Sequence, residues 1–461
     1  MGEFALGQPV PRFEDPRLLR GGGRYVDDMV LPRMVFGHVL RSPYAHARIR
    51  SLDSRAAKQM PGVLAVLTGA DWQASRWGDL PAAGGMKRPG GLASYKPRFP
   101  ALVEDRVRWV GDYVAFVVAE TKNQAMDAAE RIEVEYEPSP AVVSTEGATA
   151  AGAPRVWEDC PDNICFVHEV GDRAATEAAF TRADRIVKRR LRVNRVTAAA
   201  MEPRGAIGDY NPAEDRYTCY TVLQRTHAYR AELAQIIGVP EARVRVVAGD
   251  IGGSFGMKSA IYNEVALCLL ASRLLGRPVK WTSERGEAFL SDTHGRDNIT
   301  LGEVALDADN KLLALRTRNL ANMGAYLSTF APMIPTGAGT GVLASVYGFQ
   351  AVYANVIGVF TNTVPVDAYR GAGRPESNYI VERLIDAAAR ERGVDRAEFR
   401  RMNMVTPDAM PHRTPVGKLY DSGDFVRVLD AALAKMDWQG FEGRRREAES
   451  RGQRRGLGLS Y

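Results

Sequence analysis

Twice in this chain an apolar or β-branched run breaks into a glycine-rich bend and re-emerges as a helix. That recurrence restricts the fold to one that seats strands, open bends and helices against one another. The first case runs from Val244-Arg245-Val246-Val247 through Gly249-Asp250-Ile251-Gly252-Gly253-Ser254-Phe255-Gly256-Met257-Lys258. A helical pattern follows from about Asn263 to Leu275 and stops at Gly276. The second case is the apolar run 356–360, the bend Ala368-Tyr369-Arg370-Gly371-Ala372-Gly373-Arg374-Pro375-Glu376 and a helical stretch over 379–392. Glycines at such bends let the backbone take positive φ and approach a ligand closely. A bend that opens a helix turns N–H groups towards an anion. Arg370 and Arg374 add forked, permanently charged donors, and Glu376 falls where a first-turn carboxylate is favourable.

Neither nucleotide fingerprint fits. A Walker loop needs Gly directly before Lys, where Met257 stands, and Gly252, Gly253 and Gly256 do not give G-x-G-x-x-G. The first bend therefore predicts an anionic ligand other than ATP or NAD.

The remaining pattern is a mixture of strands and helices, an α/β (α+β) chain. Residues 63–67 and 113–119 read as buried strands, 123–131 as a helix with inward Ala and Met, and Glu133-Val134-Glu135-Tyr136 as an exposed strand. The Gly-, Ala- and Pro-rich stretch 81–91 reads as an excursion, and 145–154 as a linker. Beyond it, 227–237 is a helix stopped by Gly238 with Pro240 following, and Val279-Lys280-Trp281-Thr282 is a strand. Phe425, Val428, Leu429, Ala432, Leu433 and Met436 share one helix face, with Ser422 as its cap. No internal repeat is evident.

Composition serves mainly to exclude. The 61 basic and 55 acidic residues give a net charge of +6 that is widely spread. Only Arg444-Arg445-Arg446 and Arg454-Arg455 cluster, and Glu442, Glu447 and Glu449 alternate with them, so no nucleic-acid surface is predicted. The four cysteines form no C-x-x-C pair, which argues against a zinc or iron–sulfur site in this chain. Cys219 and Cys268 read as core, and Cys160 and Cys165 would pair only in an oxidising compartment. The longest apolar stretch, 265–275, is interrupted by Ser272 and Arg273 and falls short of a membrane span. Residues 1–11 show neither an apolar core nor a twin-arginine motif, so a cytoplasmic location is expected.

Four groups of motifs stand in one order along the chain: Gly21-Gly22-Gly23-Arg24-Tyr25-Val26-Asp27-Asp28 with Arg41-Ser42-Pro43-Tyr44-Ala45-His46-Ala47; Met201-Glu202-Pro203-Arg204 with Thr221-Val222-Leu223-Gln224; the bend 252–256; and the bend 368–376. In that order they resemble the molybdenum-cofactor subunit of the xanthine dehydrogenase family, which includes aldehyde oxidoreductases, N-heterocycle hydroxylases and aerobic carbon monoxide dehydrogenases. The resemblance covers nearly the whole chain. It implies an N-terminal α/β hammerhead domain over 1–145, then the first part of a molybdopterin-binding domain over 155–461.

The resemblance further implies a molybdenum held by a pterin dithiolene, without a direct protein ligand to the metal; the cytosine dinucleotide form of the pterin stays open. Gln224 matches the glutamine that hydrogen-bonds an oxo ligand of molybdenum, although a surface glutamine ahead of a helix is the plainer reading. Gly252, Gly253, Ser254, Phe255 and Gly256 match the pterin-contacting loop, with the Phe255 ring facing the ligand or anchoring the loop. Arg370 matches the arginine beside the active site, its alternative being an ion pair with Asp367 or Glu376. Gly371 and Ala372 would wall the metal. Carbon monoxide oxidisers carry a copper-binding cysteine at the place of Gly371, so copper-dependent CO oxidation is not implied.

The family's catalytic glutamate lies in a second half, and no carboxylate here sits in a matching motif; Glu202 reads as structural, and His46 and His294 receive no catalytic role. The implied protein hydroxylates an aromatic N-heterocycle or an aldehyde with water as oxygen source. It would work with a second-half molybdenum subunit carrying that glutamate, an iron–sulfur subunit with [2Fe-2S] and an FAD subunit. The terminal Gly456-Leu457-Gly458-Leu459-Ser460-Tyr461 reads as the start of a strand with an open edge, as in a chain naturally split or truncated. The alternative from another class is a non-catalytic assembly or binding subunit that keeps the fold.

Overall fold

The computed structural model describes residues 7–84 and 86–461. A seven-stranded sheet draws on two separate stretches of the sequence, 35–119 and 205–282. Its order is Val244–Val247, Arg216–Thr221, Gly205–Asn211, Val279–Thr282, Val35–Arg41, Tyr113–Ala119 and Val63–Thr68. The join is a parallel pairing of Val35 with Val279 and Phe36 with Lys280. Every residue of Tyr113–Ala119 is buried, because the strand is covered on both faces. Phe116 and Val118 pack into the core around the Asn263–Leu275 helix, while Ala115, Val117 and Ala119 meet Ala125, Ala128 and Ala129 of the Lys122–Ala129 helix.

A second sheet has the order Ile164–Gly171, Ala351–Phe360, Leu312–Gly324, Gly295–Leu306 and Arg185–Val196. Its pairs are antiparallel except Leu312–Gly324 with Ala351–Phe360. The Arg374–Arg392 helix lies on this sheet, with Ile380, Leu384 and Ile385 in its core. A small sheet of Arg106–Val107, Ala47–Asp53 and Glu133–Pro138 completes the N-terminal part. Among the described residues no helix is long and apolar enough to cross a membrane.

Several local expectations change. Residues 145–154 are not a free linker: Thr145–Ala148 is a helical turn with Thr145 and Ala148 buried. The helix expected over 379–392 starts at Arg374, since Pro375 is tolerated in a first turn. Asp424, not Ser422, caps the Phe425–Lys435 helix, accepting the Arg427 N–H at 3.0 Å. The charged stretch 442–455 is largely the helix Phe441–Ser450, laced by Arg445–Glu442 and Arg451–Glu447 pairs. Among the described residues, the terminal 456–461 pairs with no strand. Instead Arg396 and Arg400 donate to the Leu457 and Leu459 carbonyls, and Leu459 and Tyr461 pack on the second core. All four cysteines are buried free thiols, and burial pushes Cys160 up to about 12.

Candidate cofactor site

The two glycine bends touch. The Phe255 carbonyl accepts the Arg370 N–H at 2.7 Å, and a Cβ on Gly256 would lie 2.8 Å from the Ala368 carbonyl oxygen. So close an approach requires left-handed backbone on both sides: φ is +55° at Phe255, +101° at Gly256, +96° at Gly371 and +47° at Ala372. Phe255 and Ala372 hold this conformation without being glycine, which costs on the order of 1–3 kcal/mol each and persists only where the surroundings enforce it. The Phe255 ring is 42% exposed, so it does not anchor the bend in the core. Instead it folds back over its own loop, with its Cε2 3.1 Å from where a Cβ on Gly253 would stand.

Gln224 reaches the same place from the strand-to-helix turn before Thr226–Ile237. Its Oε1 accepts from Ser254 Oγ at 2.6 Å, Ser259 Oγ at 2.8 Å and the Gly256 N–H at 2.9 Å. It is exposed, yet its carbonyl oxygen is fully engaged, unlike that of a free surface glutamine.

Charged side chains behind the bends set their shape. Glu202 accepts the Gly252 N–H at 2.8 Å and returns its own N–H to the Gly252 carbonyl at 3.0 Å. Lys258, buried, donates to the Glu202 carbonyl at 2.7 Å and to its Oε2 at 3.2 Å. Burial lowers the Lys258 pKa, and the Glu202 charge opposes that shift. Two residues on, Arg204 is buried against Glu264 at 2.8 Å and Asp292 at 2.6 Å, with its guanidinium 3.8 Å above the Tyr262 ring. Arg41 of the N-terminal part joins the same Glu264 at 2.7 Å. Burial alone would raise Glu264, but Arg204 and Arg41 hold it down at about 2.

Around the second bend, Arg296 pairs with Glu376 at 2.8 Å and also donates to the Tyr369 and Arg370 carbonyls. Asp367 is buried behind the bend, accepting the Phe330 N–H at 3.0 Å and the Ala368 N–H at 2.6 Å; burial raises its pKa. The ion pair of Arg370 with Asp367 or Glu376 is therefore not formed. The Arg370 guanidinium is exposed and, among the described residues, has no carboxylate partner.

The donor set suits an anionic group that brings its own metal ligands. Among the described residues, the N–H groups of Gly253, Ser254 and Phe255, three in succession, meet no protein acceptor; neither do those of Gly371 and Gly373. Such a run forms an anion-binding concavity. No cluster of three His, Cys, Asp or Glu side chains converges among the described residues. A molybdenum-bearing pterin, with its sulfur ligands and acceptor atoms, fits these bends.

The structure thus brings Gln224, residues 252–256 and Arg370, Gly371 and Ala372 together. His46 stands apart, bonded to the Pro140 carbonyl, whereas the His294 backbone pairs with Pro365 and Asp367 at the entry to the second bend while its ring meets the Phe289 carbonyl. Sequence reasoning missed Lys258, Ser259 and Arg296. Lys258 and Ser259 adjoin the first bend and carried a signal only as polar side chains beside it.

Comparison with known proteins identifies both parts of the chain. Residues 156–404 match the molybdopterin cofactor-binding domain, and residues 20–140 the aldehyde oxidase and xanthine dehydrogenase a/b hammerhead domain. The chain is 33% identical to the carbon monoxide dehydrogenase large chain of Afipia carboxidovorans, over 99% of this chain and 58% of that one. It superposes on quinoline 2-oxidoreductase of Pseudomonas putida 86 with a TM-score of 0.90 at 35% identity, covering 97% of this chain and 56% of that one. Against the nicotinate dehydrogenase large molybdopterin subunit of Eubacterium barkeri the identity is 28%, over 86% of this chain and 89% of that one. The chain spans a little over half the length of the first two relatives and nearly all of the third.

Proposed function

The chain belongs to the xanthine dehydrogenase and aldehyde oxidase family of molybdopterin-binding proteins, and from that premise we propose that it is the first half of a cytoplasmic hydroxylase of aromatic N-heterocycles or aldehydes. Residues 1–145 form its hammerhead unit and 155–461 its cofactor unit. The observation that carries the reading is the contact of the two bends, Arg370 N–H to the Phe255 carbonyl, beside the engaged Gln224 amide.

The backbone of 252–256 would hold the pterin, as its cytosine dinucleotide, while Gln224, Gly371 and Ala372 would border the metal. When bound, that cofactor supplies hydroxylation at carbon with oxygen from water and takes up two electrons. The chain's own residues orient the reactants. The unpaired Arg370 guanidinium offers a fixed charge to a substrate oxygen or ring nitrogen. The exposed Phe255 ring offers an apolar face to a flat substrate.

A base that takes the proton must come from outside these 461 residues. Among the described residues, Asp250, Glu202, Asp367 and Glu376 are the carboxylates in or joined to the bends, and each is committed to backbone N–H groups or to a cation. A second-half molybdenum subunit carrying a catalytic glutamate supplies it. An iron–sulfur subunit with [2Fe-2S] and an FAD subunit carry the electrons away. The nicotinate dehydrogenase subunit, itself of about this length, supports a separate first half. Copper-dependent CO oxidation is disfavoured, since all four thiols are buried and none lies in the second bend.

The other reading, a non-catalytic assembly subunit, accounts for the missing base but not for the Gln224 cradle or the free Arg370. Co-expression with a chain carrying the second half tests the choice. Metal and pterin analysis of the purified complex should give one molybdenum and one pterin per pair; a complex holding neither overturns the catalytic reading.

A further inference from the structure

Of the three donors on Gln224 Oε1, only the Gly256 N–H, at 2.9 Å, has a fixed polarity. A backbone amide of this kind donates and cannot accept. It therefore decides which way round the side-chain amide lies, because the reversed amide would set N–H against N–H. With Oε1 placed there, both serine hydroxyls must donate. Ser254 is consistent with this: its Oγ already accepts the Lys258 N–H at 3.2 Å, leaving its proton for Gln224 at 2.6 Å.

Ser259 is placed more firmly. Its carbonyl takes the Arg225 Nε–H at 2.9 Å and its N–H bonds the Gly256 carbonyl at 2.9 Å. Among the described residues its hydroxyl has one partner, Gln224 Oε1 at 2.8 Å. Three donors saturate that oxygen. The two Nε2 hydrogens meet no protein acceptor among the described residues, on a side chain that is exposed beside the bends.

We propose that Ser259 is a positioning residue: the Gly256 N–H sets which way round the Gln224 amide lies, and the Ser259 hydroxyl holds that amide in place with both Nε2 hydrogens turned to the ligand. The inference rests on the cofactor reading above and adds to it the residue that holds Gln224 in place. The group beside Gln224 must present lone pairs, and the serine hydroxyl, which touches neither ligand nor substrate, governs how well the amide meets it. A Ser259→Ala variant keeps two of the three donors, the Gly256 N–H among them, so the chain folds and the amide keeps its orientation but is held less tightly.

Two measurements separate this proposal from the cofactor reading. The first is the thermal midpoint of the purified complex with its molybdenum removed. Gln224→Glu offers a carboxylate oxygen to the same three donors and should melt within about 1 °C of wild type or above it; Gln224→Met strands the donors and should lose about 2 °C. If Gln224→Glu falls as far as Gln224→Met, the donors do not converge on an acceptor and the proposal is overturned.

The second uses the holo-complex. Ser259→Ala should lower kcat about fivefold with KM within about twofold and alter the Mo(V) paramagnetic resonance signal. Ser259→Thr, which keeps the hydroxyl, should restore both. An alanine variant with unchanged kcat and signal, or a threonine variant that behaves like alanine, overturns it. Wild-type complex without molybdenum would overturn the cofactor reading and the ligand half of this proposal, while the thermal measurement still decides the amide's orientation.

Discussion

Gly256→Ala tests whether the bends have to touch. The substitution meets two obstacles. Gly256 has φ +101°, a conformation an L residue takes at a cost of about 1–3 kcal/mol. Its new Cβ would stand 2.8 Å from the Ala368 carbonyl oxygen and 3.1 Å from the carbonyl carbon, and both are backbone atoms with no rotamer to retreat into. Ala368 must therefore move back by roughly 0.5 Å to reach ordinary contact. That movement loosens the nearby 2.7 Å bond from the Arg370 N–H to the Phe255 carbonyl, worth about 1 kcal/mol. Together these cost about 3 kcal/mol.

For 461 residues, an unfolding entropy of about 2 cal/mol/K per residue gives about 1 kcal/mol per kelvin. Scanning calorimetry should then show a midpoint lower by about 3 °C. Loading should suffer more, with molybdenum in the purified complex falling about tenfold, because the cradle is what moves. Gly286→Ala is the control: that glycine lies in the Arg285–Ser291 helix with nothing within 4 Å of where its Cβ would stand, so alanine should be neutral or stabilising by up to about 1 kcal/mol. A Gly256→Ala protein with wild-type midpoint and full molybdenum would refute the view that apposed bends make the site.

Arg370→Ala should lower turnover about a hundredfold and shift the midpoint by less than about 1 °C, since the guanidinium is exposed and unpaired; unchanged steady-state kinetics would remove its assigned role. His294 makes the fold sensitive to mild acid. Burial, reinforced by Arg195, lowers it to about 4, and Arg195 Nη1 at 3.4 Å requires Nδ1 to stay unprotonated. A histidine depressed on folding contributes fully above its unfolded value of about 6.5, and its contribution is lost as pH falls from there through 4. That loss is about 2 kcal/mol once the exposed Nε2 edge is allowed for. About three fifths of that loss falls above pH 5, so His294→Gln should shrink the difference in midpoint between pH 7.5 and pH 5 by about 1 °C, and an unaltered difference would count against this account.

What was legible in the sequence was local. The Asn263–Leu275 and Thr226–Ile237 helices end where Gly276 and Gly238 take the left-handed conformation, a signal contained in one residue. The burial of Tyr113–Ala119 is likewise written in its own apolar run. Partners distant in sequence were not legible. Nothing in the alternation of Val35–Arg41 says that it pairs with Val279–Thr282, because an apolar strand accepts any neighbour of the right direction. Proximity in sequence also misled: Arg370 lies next to Asp367 and Glu376, yet Glu376 pairs with Arg296, eighty positions away, and Asp367 turns inward to backbone N–H groups. Glu202 reads as structural, and so it is, but only the folded chain reveals that it shapes the first bend through Gly252 and Lys258.

The site was more legible than its supports for a physical reason. Its parts are two unbroken segments whose glycines announce the backbone they need, at Gly253, Gly256, Gly371 and Gly373. The informative exceptions are Phe255 and Ala372, which take positive φ where glycine would be less costly. A chain selected for stability alone would place glycine at both. Each side chain stands at the tip of its bend, one ring exposed and one methyl half-buried, on the side where unbonded N–H groups gather. Strain retained at two apposed tips, braced from behind by Glu202–Lys258 and Arg296–Glu376, is therefore best accounted for by what those two side chains face. Replacing either by glycine should relax the bend and stabilise the fold, while weakening the grip on a flat ligand.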